Sequence, residues 1–172
     1  MKNHLDYITH INNPEDQVYL KTCHFPVNIR LFHSSEDYKK IILDQCKYIK
    51  KLCLEEKEGY KKPHGMSSAN AGLSFNIIGV TMNRNFRSEY CKILINPKIL
   101  KYCGETIETS SNCGSLTLAN PIKVLRSESV IVDYYDIDGI NHIEEFNRDR
   151  GGFTIQHEID HNNGILITDR IK

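Results

Sequence analysis

The spacing of apolar residues changes twice along the chain. After Ser34-Ser35-Glu36-Asp37, which offers helix-capping chemistry, Tyr38, Ile41, Ile42, Cys46, Ile49 and Cys53 recur at helical intervals. The pattern predicts one long helix that ends before Gly59. Upstream, Asn13-Pro14-Glu15-Asp16 reads as a turn opening a short segment that ends near Pro26. Lys61-Lys62-Pro63-His64-Gly65 reads as a polar connector. From Ile77 the runs become short and rich in β-branched residues. Residues 77–81 and 91–95 are expected strands, the second stopped by Asn96-Pro97. Residues 130–135 predict another strand, and Asp138-Gly139 a tight turn into residues 140–143. A last helix is expected from Asp149 to Asn163, ended by Gly164 in a left-handed conformation. Gly151 and Gly152 at its start predict either a close approach of backbone or ligand or a frayed first turn.

These elements make one domain over residues 1–172, of the α+β class. Antiparallel sheets are expected to pack around the C-terminal helix, with one N-terminal helix beside them. A chain of 172 residues is long enough to bury a sizeable core. The formal net charge is zero, which argues against nucleic acid or an anionic membrane as partner. No run approaches the roughly 18 apolar residues of a membrane span. Residues 1–7 lack a signal-peptide hydrophobic stretch and the Arg-rich character of a transit peptide. The six cysteines, at 23, 46, 53, 91, 103 and 113, form no CxxC pair. A reduced, cytoplasmic protein is expected, or an organellar one whose transit peptide has been removed.

Candidate chemistry concentrates in His157-Glu158-Ile159-Asp160-His161, an HExxH sequence on the expected last helix. Residues four apart lie on one helical face, so both imidazoles reach one metal ion. Glu158 stands where a carboxylate can take a proton from a water that the metal activates. The pattern predicts metal-assisted hydrolysis of an amide-like bond. A catalytic ion needs a third protein ligand. Position 167 is Ile, where one zincin class has its third His, and Asp169 is the only acid after the motif. The third ligand is therefore expected upstream. Thiolate suits such metals. Cys113, among the small residues of Ser110-Ser111-Asn112-Cys113-Gly114-Ser115, is the leading candidate, with Cys103 its rival. Cys46, Cys53, Cys23 and Cys91 read as core. His4, His10, His24, His33, His64 and His142 read as surface or locally hydrogen-bonded residues, and Tyr102, Tyr134 and Tyr135 as strand packing.

Taken together, these residues resemble the peptide deformylase family. The family's third motif stands intact as Gln156-His157-Glu158-Ile159-Asp160-His161, with Gly164 and Asp169-Arg170-Ile171 continuing the likeness. The second appears as Ser111-Asn112-Cys113-Gly114-Ser115, and the first as Asn70-Ala71-Gly72-Leu73-Ser74-Phe75-Asn76-Ile77. The resemblance implies Cys113, His157 and His161 as metal ligands and Glu158 as the general base. It implies Fe(II) in the cell, with Zn(II), Ni(II) or Co(II) as substitutes in a purified sample. The implied substrate is an N-formylmethionyl nascent peptide, met near the ribosome exit region by a monomer. The Gly114 N–H would hold the oxyanion. Ala71, Gly72, Leu73, Asn76, Asn112 and Phe153 would contact substrate, Phe153 from one helical turn before His157.

Two departures from the family pattern bear on that reading. The first motif's Gln falls on Ile77, leaving Asn76 as the adjacent donor. Ser111 stands where the second motif has Glu, which removes an acid partner for Arg126. Asp160 is the substitute partner expected for that arginine. The chain resembles a short form, ending soon after Ile171. The alternative is a deformylase-like metalloprotein with weakened activity, acting on another acyl-amide or only binding peptide N-termini.

Overall fold

The computed structural model describes residues 9–55, 62–83, 89–116 and 120–171. Expectations placed on residues 1–7, including His4, and on Gly59 and Lys61 lie outside them. Among the described residues, four α-helices and a five-stranded antiparallel sheet make up the α+β fold. The helices are α1 (Pro14–Leu20), α2 (Ile29–Ser34), α3 (Glu36–Leu54) and α4 (Gly152–Asn162). The strands form a meander in sequence order: β1 (Gly65–Ser67), β2 (Ile77–Met82), β3 (Tyr90–Ser111), β4 (Ile122–Tyr135) and β5 (Asn141–Asn147). No described helix is long and apolar enough to cross a membrane.

The expected long helix is α3. Ser35 caps it by accepting from the Tyr38 N–H at 3.3 Å. Ile42, Cys46, Ile49 and Cys53 face the core, while Ile41 is 52% exposed. The sequence pattern missed α1 and α2. Asn13-Pro14, read as a turn, is a helix start: the Asn13 side chain accepts from Glu15 N–H, and Pro14 occupies the first helical position. Both helices are too short to show a period.

Strand β2 lies between two layers, and all six of its residues are buried. One face meets α3 in a cluster that includes Ile42, Ile49, Cys53, Ile77 and Cys91. The other meets α4 through Ile78, Val80, Leu94, Val132, Phe146, Ile155 and Ile159. Gly79 permits the first contact, since a Cβ there would come within 2.7 Å of Ile49 Cγ2. Cys23, read as core, is exposed; it sits at an isolated bridge to Asn163 rather than inside a strand.

Asn96-Pro97 does not stop β3. Asn96 adopts a left-handed φ of 52°, and the pairing with β4 shifts register between Ile95 and Lys98. The irregularity takes up Pro97, which has no N–H for the ladder. Asn96 Oδ1 accepts from Val27 N–H at 2.7 Å, and its amide donates to Val27 O at 2.8 Å. One strand thereby serves two partners, β2 along residues 90–95 and β4 beyond. The final helix begins at Gly152, three residues later than expected, after a 3-10 turn at Arg148–Arg150. A Cβ at Gly152 would lie 2.5 Å from the Phe146 carbonyl oxygen, so the close backbone approach is real. Gly164 follows the helix with φ 73°.

Candidate active site

Helix α4 buries an unusual load of polar side chains: Gln156, Glu158, Asp160, His161 and Asn162. Buried polar groups need partners. Gln156 exchanges two hydrogen bonds with the Ser127 backbone, at 3.1 and 2.8 Å. Asn162 accepts from Ala69 N–H and donates to Ile77 O and Asn76 Oδ1. These bonds fix the rotation of α4, and so the direction of the remaining polar face. Gly114 lies three residues after the end of β3.

On that face His157 Nε2 and His161 Nε2 stand 3.1 Å apart, and Cys113 Sγ is 3.2 Å from His161 Nε2. The three ligand atoms all lie within 4.8 Å of one another. A tetrahedral ion with the usual metal–nitrogen and metal–sulfur distances requires separations of about 3.3–3.6 Å. The donor set therefore fits one small divalent cation. Burial lowers His157 to about 4 and His161 to about 3, with the Arg126 charge pulling the same way in both. Both rings are thus neutral at pH 7, the form that ligates. Burial pushes the Cys113 thiol up to about 12, opposed by hydrogen bonds from Ser115 and the Leu116 N–H. A bound divalent cation deprotonates such a thiol outright. Cys103, the rival ligand, lies within β3 and is not in this group.

Glu158 is buried beside the group, with Oε2 free of any hydrogen-bond partner among the described residues. Burial raises it to about 8, opposed by Ser67 and by the Arg126 charge. A carboxyl near neutrality suits proton transfer in both directions. A cleft of about 550 Å³ opens over it, lined by residues 62–66, Asn70, residues 109–114, Phe153, Thr154, His157 and Glu158. The structure thus brings Asn112, Cys113, Gly114, Phe153, His157 and Glu158 to one cleft, with His161 bonded beneath.

Four expected substrate contacts lie elsewhere. Ala71 and Leu73 pack into the cluster under α3. Gly72, at φ 65°, sits beneath Thr9. Asn76 is engaged with Asn162, and its N–H goes to Phe25 O. In their place stands Asn70, which the sequence reading passed over. It is 6% exposed and lines the cleft. His64 also lines the cleft. The N-terminal segment ties this wall to the next: Thr9 bonds the Ala69 and Asn70 carbonyls, and Ile11 N–H donates to Ser115 O.

A family model described as polypeptide deformylase matches residues 22–172. The chain belongs to the polypeptide deformylase family. Peptide deformylase of Ligilactobacillus salivarius is 28% identical over 177 residues, covering 97% of this chain and 90% of its own. That of Listeria welshimeri is 29% identical over 145 residues, covering 81% and 79%. Among solved structures, peptide deformylase from Thermotoga maritima superposes with a TM-score of 0.72 at 24% identity, covering 96% of each chain. A probable peptide deformylase from Synechococcus phage S-SSM7 gives 0.68 at 22%, covering 95% and 98%. These likenesses extend over the whole fold.

Asp160, the partner expected for Arg126, stands beside that arginine. Arg126 Nη1 lies 2.5 Å from Asp160 Oδ2, and Arg170 Nη2 lies 2.6 Å from Asp160 Oδ1. Asp160 is the residue before His161, so the ion pair bears directly on a ligand's position. Arg170, from the 3-10 turn Ile167–Arg170, closes the pair from outside.

Proposed function

We propose that the protein is a metal-dependent peptide deformylase, removing the formyl group hydrolytically from the N-terminal methionine of nascent polypeptides. One observation carries this reading: a buried carboxylate, Glu158, beside three convergent metal-ligand atoms at the floor of an open cleft. A site kept for structure alone needs no such base. Cys113, His157 and His161 would hold a divalent cation, Fe(II) in the cell, which would supply Lewis acidity for activating water and polarising the formyl oxygen. Glu158 takes the proton of the attacking water and passes it to the departing amine. The Gly114 N–H and a side-chain N–H of Asn70 hold the developing oxyanion. In this reading Asn70 takes the part first given to Asn76. Phe153 and Asn112 receive the peptide.

The test is release of formate from formyl-Met-Ala-Ser by protein loaded anaerobically with Fe(II), or with Ni(II) to avoid oxidation. Glu158→Gln should bind one metal per chain and lose about 100-fold or more in kcat. Metal-loaded wild type without turnover refutes the assignment. Faster turnover of acetyl- than formyl-peptide would move it to another acyl-amide hydrolase.

A further inference from the structure

Ser67 is the last residue of β1 and is fully buried. Its hydroxyl lies at a junction of site residues. It donates to Asn70 Oδ1 and accepts from the Asn70 main-chain N–H at 3.2 Å. The Ser67 N–H also points to Asn70 Oδ1, at 3.4 Å. The far end of the same amide donates from Nδ2 to Ser115 Oγ at 2.6 Å. Ser115 in turn bonds the Cys113 sulfur. On its other side Ser67 faces the Glu158 carboxylate. A chain of hydrogen bonds therefore runs from Ser67, beside the buried Glu158, through Asn70 to Ser115, beside Cys113.

The chain has a consequence for the amide. An asparagine side chain has an acceptor end and a donor end of nearly the same shape. Only the donor end favours an oxyanion, and a flipped amide would repel one. The Ser67 hydroxyl accepts from the Asn70 main-chain N–H and gives its one proton to Asn70 Oδ1, which holds oxygen at that end more firmly than the 3.4 Å main-chain contact does alone. One of the two Nδ2 protons goes to Ser115, which leaves the second for the cleft that Asn70 lines.

We propose that Ser67 is a positioning residue for hydrolysis, fixing which end of the Asn70 amide meets the reacting carbonyl and keeping that amide in line with Glu158. This rests on the deformylase reading above. Ser67 touches no substrate; it acts through Asn70.

The experiment compares wild type, Ser67→Ala, Asn70→Ala and the double variant, each metal-loaded, on formyl-Met-Ala-Ser. Ser67→Ala should lower kcat about 10- to 100-fold while KM changes less than about threefold and one metal per chain is retained. Adding Ser67→Ala to Asn70→Ala should cost less than about threefold more, because the group it positions is already gone. If Ser67→Ala does not fold, Ser67→Cys, close in size with a weaker donor, carries the same comparison. Losses that multiply in the double variant, or a loss confined to KM, overturn the proposal. So does a Ser67→Ala enzyme as fast as an active wild type, which leaves the deformylase assignment standing. A wild type without turnover removes that assignment and this proposal together.

Discussion

Asp160→Asn removes one charge from the most deeply buried ion pair described. The side chains of Arg126 and Asp160 are 5% and 8% exposed, and Arg126 Nη2 has no hydrogen-bond partner among the described residues. The substitution keeps the shape of residue 160 but leaves the Arg126 charge uncompensated. Breaking one side of such a pair costs about 3–5 kcal/mol. Arg170, 39% exposed, turns to solvent and adds little. The expected loss is therefore about 3 kcal/mol or more, a large share of the roughly 5–15 kcal/mol of a typical domain. Equilibrium unfolding in urea, with metal bound and with metal chelated, measures it. A second arm tests the cause. The register Ile107↔Arg126, Thr109↔Val124, Ser111↔Ile122 places Ser111 on the same face of the hairpin as Arg126. Ser111→Glu added to Asp160→Asn should restore at least half of the loss. A loss below about 1 kcal/mol in the single variant would refute the reasoning, because Arg126 would then have solvent or another partner.

Three further outcomes follow from the site. Cys113→Ser should weaken metal binding by more than about 100-fold while the sheet stays folded, checked by metal titration and circular dichroism. Gly114→Ala should leave metal content and unfolding midpoint unchanged and activity within about threefold, since a Cβ there meets nothing within 4 Å. The metal-free protein should be most stable near pH 6.5. Below that, His157 and His161, lowered from 6.5 to about 4 and about 3, accept protons only when unfolded. Between 6.5 and 8 the sign reverses, because Glu158, raised from 4.5 to about 8, keeps its proton only when folded. Each uncompensated proton changes stability by about 1.4 kcal/mol per pH unit. Thermal unfolding with chelator across pH 5–8 reads the profile, and a monotonic curve would contradict it.

The grouping of the candidate metal-ligand residues was legible because its chemistry is local. Both histidines and Glu158 lie in one helical turn, and their spacing alone places them on one face. Cys113 needed the resemblance as well, since spacing left Cys103 open. Asp160 as the partner of Arg126 was foreseen from the missing acid at 111. Asn70 was not, because β1 has three residues and carries no period, so nothing in the letters said which side chain of 67–76 faces the cleft. The long continuation of β3 was hidden by Asn96-Pro97, whose stop signal is overridden by two hydrogen bonds to Val27, distant in sequence. Helices α1 and α2 are held by tertiary packing rather than by amphipathic pattern.

The Cys113–His161 contact spans 48 residues, and Thr9 reaches Ala69 across 60. In an unfolded chain the histidine pair is at most a weak chelator, with its thiolate far away along the polymer. Tight capture of an ion by this group would therefore wait until distant stretches of polypeptide have met. In the proposed metalloenzyme, occupancy of the ion would be a certificate of completed assembly: a misfolded copy would stay unmetallated and silent instead of cleaving amides indiscriminately.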